Sequence, residues 1–242
     1  MGVVYMRKSF VIDFAFALVM IATLVIGLVA CKPGPGKVTP LGSTEVKEYQ
    51  GQDLSSVTDF RENSISGPQH VNIADYKLDI TGLVANPTSY SYDEVLKDFP
   101  SYSKVVTLNC VEGWSVDILW QGVLVKDILA NAKPSPDAKV VIFHAYDGYT
   151  TSFPIDYLTS NNILMAYKMN DITMPPERGY PFELVAESKW GYKWIKWITQ
   201  IELSDNVSYQ GYWESRGYSN SGDLGKSFFD NSNPLNSLTP PY

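Results

Sequence analysis

The chain of 242 residues is 45% hydrophobic and 13% aromatic, enough for one large domain with tails and a substantial core. Its formal charge is -7 and it holds only four arginines (Arg7, Arg61, Arg178, Arg216), which argues against nucleic acid, because phosphate backbones demand clustered Lys and Arg. Two cysteines, Cys31 and Cys110, form no Cys-x-x-Cys, no heme-attachment motif and no disulfide framework, and two histidines, His70 and His144, are too few for a histidine-rich metal site.

Residues 1–31 read as a targeting segment. Arg7-Lys8 is a short basic region and Phe10–Ala30 is almost wholly apolar, with Asp13 the exception. Leu28-Val29-Ala30-Cys31 then resembles a lipobox, with small residues placed for cleavage before a lipid-bearing cysteine. The alternative is an uncleaved anchor, since about 20 apolar residues can cross a bilayer. Either way the body is expected to be exported and tethered to the outer face of the membrane. Arg7-Lys8-Ser9-Phe10-Val11 also resembles a twin-arginine export signal, with a plain basic region as the alternative. Residues 32–59 begin with Pro33, Gly34, Pro35, Gly36 and Pro40 and read as a flexible spacer.

Order is expected from Phe60. Tyr76, Leu78 and Ile80 alternate with Lys77, Asp79 and Thr81 as in a half-buried strand ending at Gly82. Ser91 with Glu94 forms a capping box for a helix stopped by Pro100. Lys104–Leu108 is a β-branched, apolar strand that delivers Cys110 to its end, and a short helix follows over Val125–Asn131. Ala138–Tyr146 and Tyr149–Phe153 flank the hairpin signal Asp147-Gly148. Asp156 is placed to cap a helical turn, Asn170-Asp171 to make a second hairpin, and Phe182–Glu187 and Trp194–Leu203 to form further strands. Eight or nine strands with two or three short helices, and no rhythm of long helices between strands, read as an α+β fold built on sheets. Residues 206–242 read as a C-terminal extension rich in Ser, Asn, Gly and Tyr.

Cys110, at a strand end before a turn, suits a soft-metal ligand, a nucleophile, or simply a small buried hydrophobe. A nucleophile would need a base, for which His144 at its own strand end is a candidate. Glu112 and Asp117 around the cysteine also permit a carboxylate pair for glycoside hydrolysis.

Cys110-Val111-Glu112-Gly113-Trp114-Ser115, followed by Trp120-Gln121-Gly122-Val123, resembles the molybdenum-ligand segment of the sulfite oxidase superfamily. Within it the likeness is greatest to the branch of periplasmic protein-methionine-sulfoxide reductase catalytic subunits. A second segment, Trp190–Trp197, resembles the family's lysine-bearing stretch that binds the pterin and its phosphate, and the likeness extends over roughly residues 60–203. The resemblance implies a β-rich sulfite-oxidase-type domain over residues 60–205, a molybdenum-molybdopterin cofactor and Cys110 as metal ligand. It implies cofactor contacts from Arg61, Glu62, Asn63, Arg178, Lys193, Trp194, Ile195 and Lys196, and places His144 near the metal as a catalytic residue. Two positions depart from the family: Glu183 stands where it has a pterin-contacting arginine, and Asn109 where close relatives have arginine. Arg178 is the expected substitute cation.

The resulting expectation is an exported, membrane-tethered molybdopterin oxidoreductase performing two-electron oxygen-atom transfer. Its substrate would be a small-molecule or protein-bound S-oxide, N-oxide or oxyanion. Electrons would come from a separate electron-transfer protein or a quinol-linked membrane subunit, since no heme-attachment motif is present. The competing readings are a sulfite oxidase-like enzyme working in the opposite direction and a cofactor-free lipoprotein binding module.

Overall fold

A computed structural model describes residues 44–230; the export segment, the first part of the expected spacer and residues 231–242 lie outside them. The described chain builds two five-stranded sheets around one apolar core. The first contains β5 (Ser101–Asn109), β6 (Ser115–Leu124), β9 (Leu164–Met169) and β10 (Ile172–Thr173), in the order β10-β9-β6-β5, with β11 (Glu183–Val185) also paired to β9. All of its pairings are antiparallel. The second runs β4 (Thr88–Tyr90), β3 (Leu78–Gly82), β12 (Ile198–Ser204), β7 (Val140–Ala145) and β8 (Thr150–Pro154). Its one parallel pairing, β3 with β12, joins its first and last strands in the chain.

Local chemistry explains most of these elements. In β3, Leu78 and Ile80 face the core while Asp79 and Thr81 do not, as a two-residue period requires. Helix α1 (Tyr92–Asp98) starts on a complete capping box: Ser91 Oγ accepts from Glu94 N at 3.3 Å and Glu94 Oε2 accepts from Ser91 N at 2.7 Å. It ends at Phe99, held extended by the following Pro100. Helix α2 is Val125–Ala132, with Val125, Ile128, Leu129 and Ala132 buried along one stripe. Asn170 and Asp171 both take positive φ (47° and 64°), the geometry of a two-residue hairpin turn.

Four expectations need correction. The ten-residue strand β6 lies where no strand was expected; it is buried on both faces over most of its length, so it has no alternation to read. Trp194–Trp197 is not strand: Trp194, Ile195 and Trp197 are all buried in a loop that begins with the 3-10 turn Gly191–Lys193, and β12 starts only at Ile198. Helix α3 (Ile155–Ser160) is preceded by Pro154, and Asp156 lies in its first turn without capping it. Finally, residues 44–59 of the expected spacer pack on the domain. They form the hairpin β1 (Glu48–Tyr49) and β2 (Gln52–Asp53), and bury Leu54 and Val57. Asn170 Nδ2 donates to Glu45 Oε1 and Ser55 O, both at 2.8 Å, while its Oδ1 accepts from Leu119 N. One turn asparagine thus ties this segment to the sheet.

The C-terminal extension, described to residue 230, also packs on the domain. Glu214, in a 3-10 turn, accepts from Lys193 Nζ at 2.5 Å and Thr151 Oγ1 at 2.6 Å, with both side chains of the ion pair fully buried. Its Oε2 has no hydrogen-bond partner among the described residues. Removing one member of a buried pair strands the other charge, at about 3–5 kcal/mol, whereas replacing both by apolar groups is often near neutral. Lys193→Met is therefore expected to destabilise by about that amount in urea unfolding, and Lys193→Met with Glu214→Leu by clearly less. Equal stability of the single variant and wild type would show that the pair does not hold the extension down.

Candidate active site

Cys110 sits at the tip of the β5–β6 hairpin. Its N–H donates to Trp114 O at 2.9 Å and its carbonyl accepts from Gly113 N at 3.1 Å; Gly113 takes φ +88°, a conformation open to glycine at little cost. The tip docks on the loop before the Gly191 turn through an Asn109–Trp190 bridge. Gly191 lets the backbones approach, since a Cβ there would lie 3.2 Å from Asn109 O. The free thiol is buried and lines a cavity of about 550 Å3, within the roughly 300–1,000 Å3 of small-molecule and cofactor sites.

The segment Phe60–Ile65 forms another side of this cavity. It is held by Arg178, whose guanidinium donates to the carbonyls of Val57 (2.8 Å), Phe60 (2.6 Å) and Arg61 (3.1 Å) and lies 3.7 Å from the centre of the Phe60 ring. Asn63 Nδ2 consequently reaches Cys110 Sγ at 3.6 Å, and Glu62 pairs with Lys196. Arg61 is exposed and 3.8 Å from Glu112. Arg61, Glu62, Asn63, Arg178, Trp194 and Lys196 are therefore all brought to the cavity, as the sequence implies. Arg178 serves differently from expectation: its hydrogen bonds go to the chain's own carbonyls.

Three predicted residues are not brought there. Lys193 is fully buried against Glu214, Ser152 O and Asn220 O. Ile195 is a core residue whose carbonyl accepts from Leu184 N. His144 does not line the cavity; its Nε2 lies 2.8 Å from Glu202 on the neighbouring strand β12. Its place on β7 opposite Gln200 directs it to the sheet's own cross-strand chemistry, so it is no base for Cys110.

The cavity also has walls that sequence reasoning missed. Asp147 and Tyr149 come from the β7–β8 turn, Glu177 from a 3-10 turn, and Trp213, Tyr218, Phe228 and Phe229 from the C-terminal extension. The aromatic clustering of residues 209–229 was the available signal. Tyr218 packs on Tyr192, Trp213 and Phe229 at centroid distances of 5.0, 5.1 and 5.3 Å. Burial, with the acidic groups Cys110 and Glu112 nearby, raises its hydroxyl pKa, so it holds its proton at neutral pH.

Burial likewise pushes the Cys110 thiol up, and Glu112 adds to the effect, while hydrogen bonds from the Glu112 backbone and Asn63 oppose it. Glu112 itself is held low by hydrogen bonds from Trp114 and Asn63. Glu183, 5% exposed, is pushed up to about 8 by burial, against the pull of Lys196 and Arg178. Among the described residues no group of three or more His, Cys, Asp or Glu side chains is placed to hold a metal. A metal at Cys110 would need further ligands from beyond these side chains, as a cofactor could supply. A buried thiol donor in a cavity of this size, with aromatic walls and an ammonium group at Lys196, fits a pterin dithiolene that carries molybdenum.

Comparison with known proteins agrees. Residues 65–213 match the family described as oxidoreductase molybdopterin binding domain. The oxidoreductase YuiH of Bacillus subtilis (strain 168) is 35% identical over 157 residues, covering 64% of this chain and 78% of the relative. The protein-methionine-sulfoxide reductase catalytic subunit MsrP of Campylobacter jejuni is 31% identical over 73% of this chain, which spans 63% of that protein. The crystal structure of the sulfane dehydrogenase SoxCD from Paracoccus pantotrophus shares the fold, with a TM-score of 0.57, 22% identity, and coverage of 63% of this chain and 43% of that one. The chain belongs to the molybdopterin-binding oxidoreductase family and is a molybdenum enzyme of the sulfite oxidase type.

Proposed function

We propose that this oxidoreductase is the exported, membrane-tethered catalytic subunit of a reductase for neutral S-oxides or N-oxides, with methionine sulfoxide the leading candidate substrate. The charge of the cavity carries the choice. Three cationic side chains line it, Arg61, Arg178 and Lys196, against five carboxyl groups, Glu62, Glu112, Asp147, Glu177 and Glu183. Of the cations, Arg178 is committed to backbone carbonyls, Lys196 to Glu62, and Arg61 faces Glu112. A small oxyanion such as sulfite needs free, clustered donors that match its oxygens. A neutral oxide with an apolar body suits a cavity walled by Phe60, Trp114, Trp213, Tyr218, Phe228 and Phe229. Two relatives bear the name of protein-methionine-sulfoxide reductase catalytic subunit, in support of the same reading.

The bound molybdopterin would supply the two-electron oxygen-atom chemistry. The chain's own groups have separate tasks. The Cys110 thiol gives up its proton to become a soft anionic ligand, which its raised pKa permits only against a strong cation. Asn63 donates to the sulfur and fixes its orientation. Aromatic side chains exclude bulk water and hold the apolar part of the substrate. Net reduction consumes two electrons and two protons and releases a thioether, or an amine, and water. Tyr218, which lines the same cavity as Cys110, keeps a hydroxyl proton that it could supply to the oxygen released as water. The electrons would arrive from a separate electron-transfer protein or quinol-linked membrane subunit.

Three outcomes follow. Cys110→Ser should leave the fold intact by circular dichroism but reduce turnover below about 1% of wild type, more than the 10–100-fold typical of outer-shell changes. Molybdenum-loaded protein should reduce an organic S-oxide with reduced viologen faster than it oxidises sulfite with ferricyanide; the opposite order would make it a sulfite oxidase-like enzyme. Mass analysis of the membrane fraction should find a lipidated peptide beginning at Cys31, whereas retained Phe10–Ala30 would mean an apolar anchor instead.

A further inference from the structure

Glu183 stands out among the cavity residues. It lies at the start of β11, is 5% exposed, and lines the cavity, yet its carboxyl group makes no hydrogen bond to any described residue. Its oxygens open onto the cavity rather than into the core, since among the described residues the fully buried side-chain oxygen left unpaired is Glu214 Oε2, so a ligand in the cavity is what the Glu183 carboxyl can meet. Its position specifies what kind. The stems of Glu183 and Lys196 both pass Gly179, where an added Cβ would meet Glu183 Cβ at 3.0 Å and Lys196 Cγ at 3.1 Å, and both residues line the cavity. The charged groups facing it are Lys196 and Arg178, with Glu62 bound to Lys196 and Glu177 close to Arg178. The Lys196 ammonium also contacts Glu177 O at 3.4 Å, and so lies between the two wall segments.

An anionic oxygen of the cofactor would meet Lys196 at this end, an ammonium already shared with Glu62, since Arg178 is committed to three carbonyls; one lysine so shared leaves room for a second donor. An anion drawn to Lys196 comes to the same part of the cavity as Glu183. An ionised carboxylate there would repel it, whereas a protonated one would supply the hydrogen bond that the wall otherwise lacks. We propose that Glu183, as the neutral acid, is a cofactor-contacting residue that donates its hydroxyl to an anionic phosphate oxygen of molybdopterin beside Lys196. No bond is made or broken; the proton stays shared between two oxygens. Burial supports this, since it already pushes the carboxyl up to about 8 before any anion is present, and a neighbouring anion acts in the same direction.

The inference rests on the molybdopterin reading of the cavity, and its test separates the two. Wild type, Glu183→Gln and Glu183→Ala are prepared as loaded enzyme and incubated from neutral pH to well above 8, and molybdenum and fluorescent pterin still bound are measured. Gln keeps an N–H donor that does not titrate. Wild type should release cofactor several-fold faster as pH rises through and beyond the 8 region, while Glu183→Gln should show no such step. Glu183→Ala should bind about tenfold more weakly already at neutral pH, as the loss of one hydrogen bond at a charged group implies. If Glu183→Ala does not fold, the contrast between wild type and Gln still decides. Retention by wild type that improves at high pH would overturn the inference in favour of a carboxylate accepting N–H groups of the pterin. Identical retention in all three proteins would overturn it and leave the proposed function standing; wild type without molybdenum or pterin would overturn both.

Discussion

A single buried guanidinium determines whether this cavity has two sides. Arg178 stands on a short 3-10 turn and donates to three carbonyls of the segment Val57–Arg61, those of Val57, Phe60 and Arg61, with its guanidinium over the Phe60 ring. Charge-assisted hydrogen bonds are about twice as strong as neutral ones, and a fork of fixed geometry sets direction as well as energy. That segment has no sheet partner at Phe60–Ser64 to fix it otherwise. Held by Arg178, it carries Asn63 to the cysteine sulfur and Glu62 to Lys196, while Phe60 meets Trp114 at 5.6 Å on the hairpin tip. The thiol on one strand pair and the lysine of a distant loop thereby face one space.

The same economy of cations governs the rest of the wall. Lys193 neutralises Glu214 inside the core, Lys189 pairs with Asp223, and Lys196 with Glu62. The first two pairs tie down the aromatic C-terminal segment that closes the cavity, so these lysines shape the site without reaching into it. A lysine-rich stretch beside a glycine turn looks like an anion site in sequence, yet only Lys196 of its lysines lines the cavity. What separates the three is burial and the nearest carboxylate, neither of which is written in local spacing.

This explains how far the sequence could be read. The capping box of α1, the two hairpin turns and the alternation of β3 are local matters, settled within a few residues, and all were legible. The place of Cys110 at a strand end before a glycine turn was legible too, whereas its role as a metal ligand came from the resemblance of Cys110–Ser115 to a family segment and not from spacing. Strand β6 was hidden because burial on both faces erases the two-residue period. His144 was misread because a strand end near the cysteine in the family pattern says nothing of which way a ring points; Glu202 on β12, 58 residues later, decides that. The walls contributed by Tyr218 and Phe228 depend on how a loop-rich extension folds back, through Glu214 and Asp223, and no periodicity encodes such a path.

The thiol shows what burial does to a sulfur in the wall of this cavity. Burial favours the protonated sulfur, and the acidic Glu112 beside it reinforces this, so the cysteine alone is a poor nucleophile and a quiet one. As the proposed ligand of a metal cation Cys110 would give up its proton, since a nearby cationic charge favours the thiolate. The low-dielectric setting that suppresses the free thiolate then strengthens its attraction to the cation. Asn63 contributes a donor that favours the anionic sulfur and carries no charge to compete with the metal. In the proposed role the sulfur would be reactive only with the cofactor: the burial that keeps Cys110 protonated alone would also hold it as a ligand.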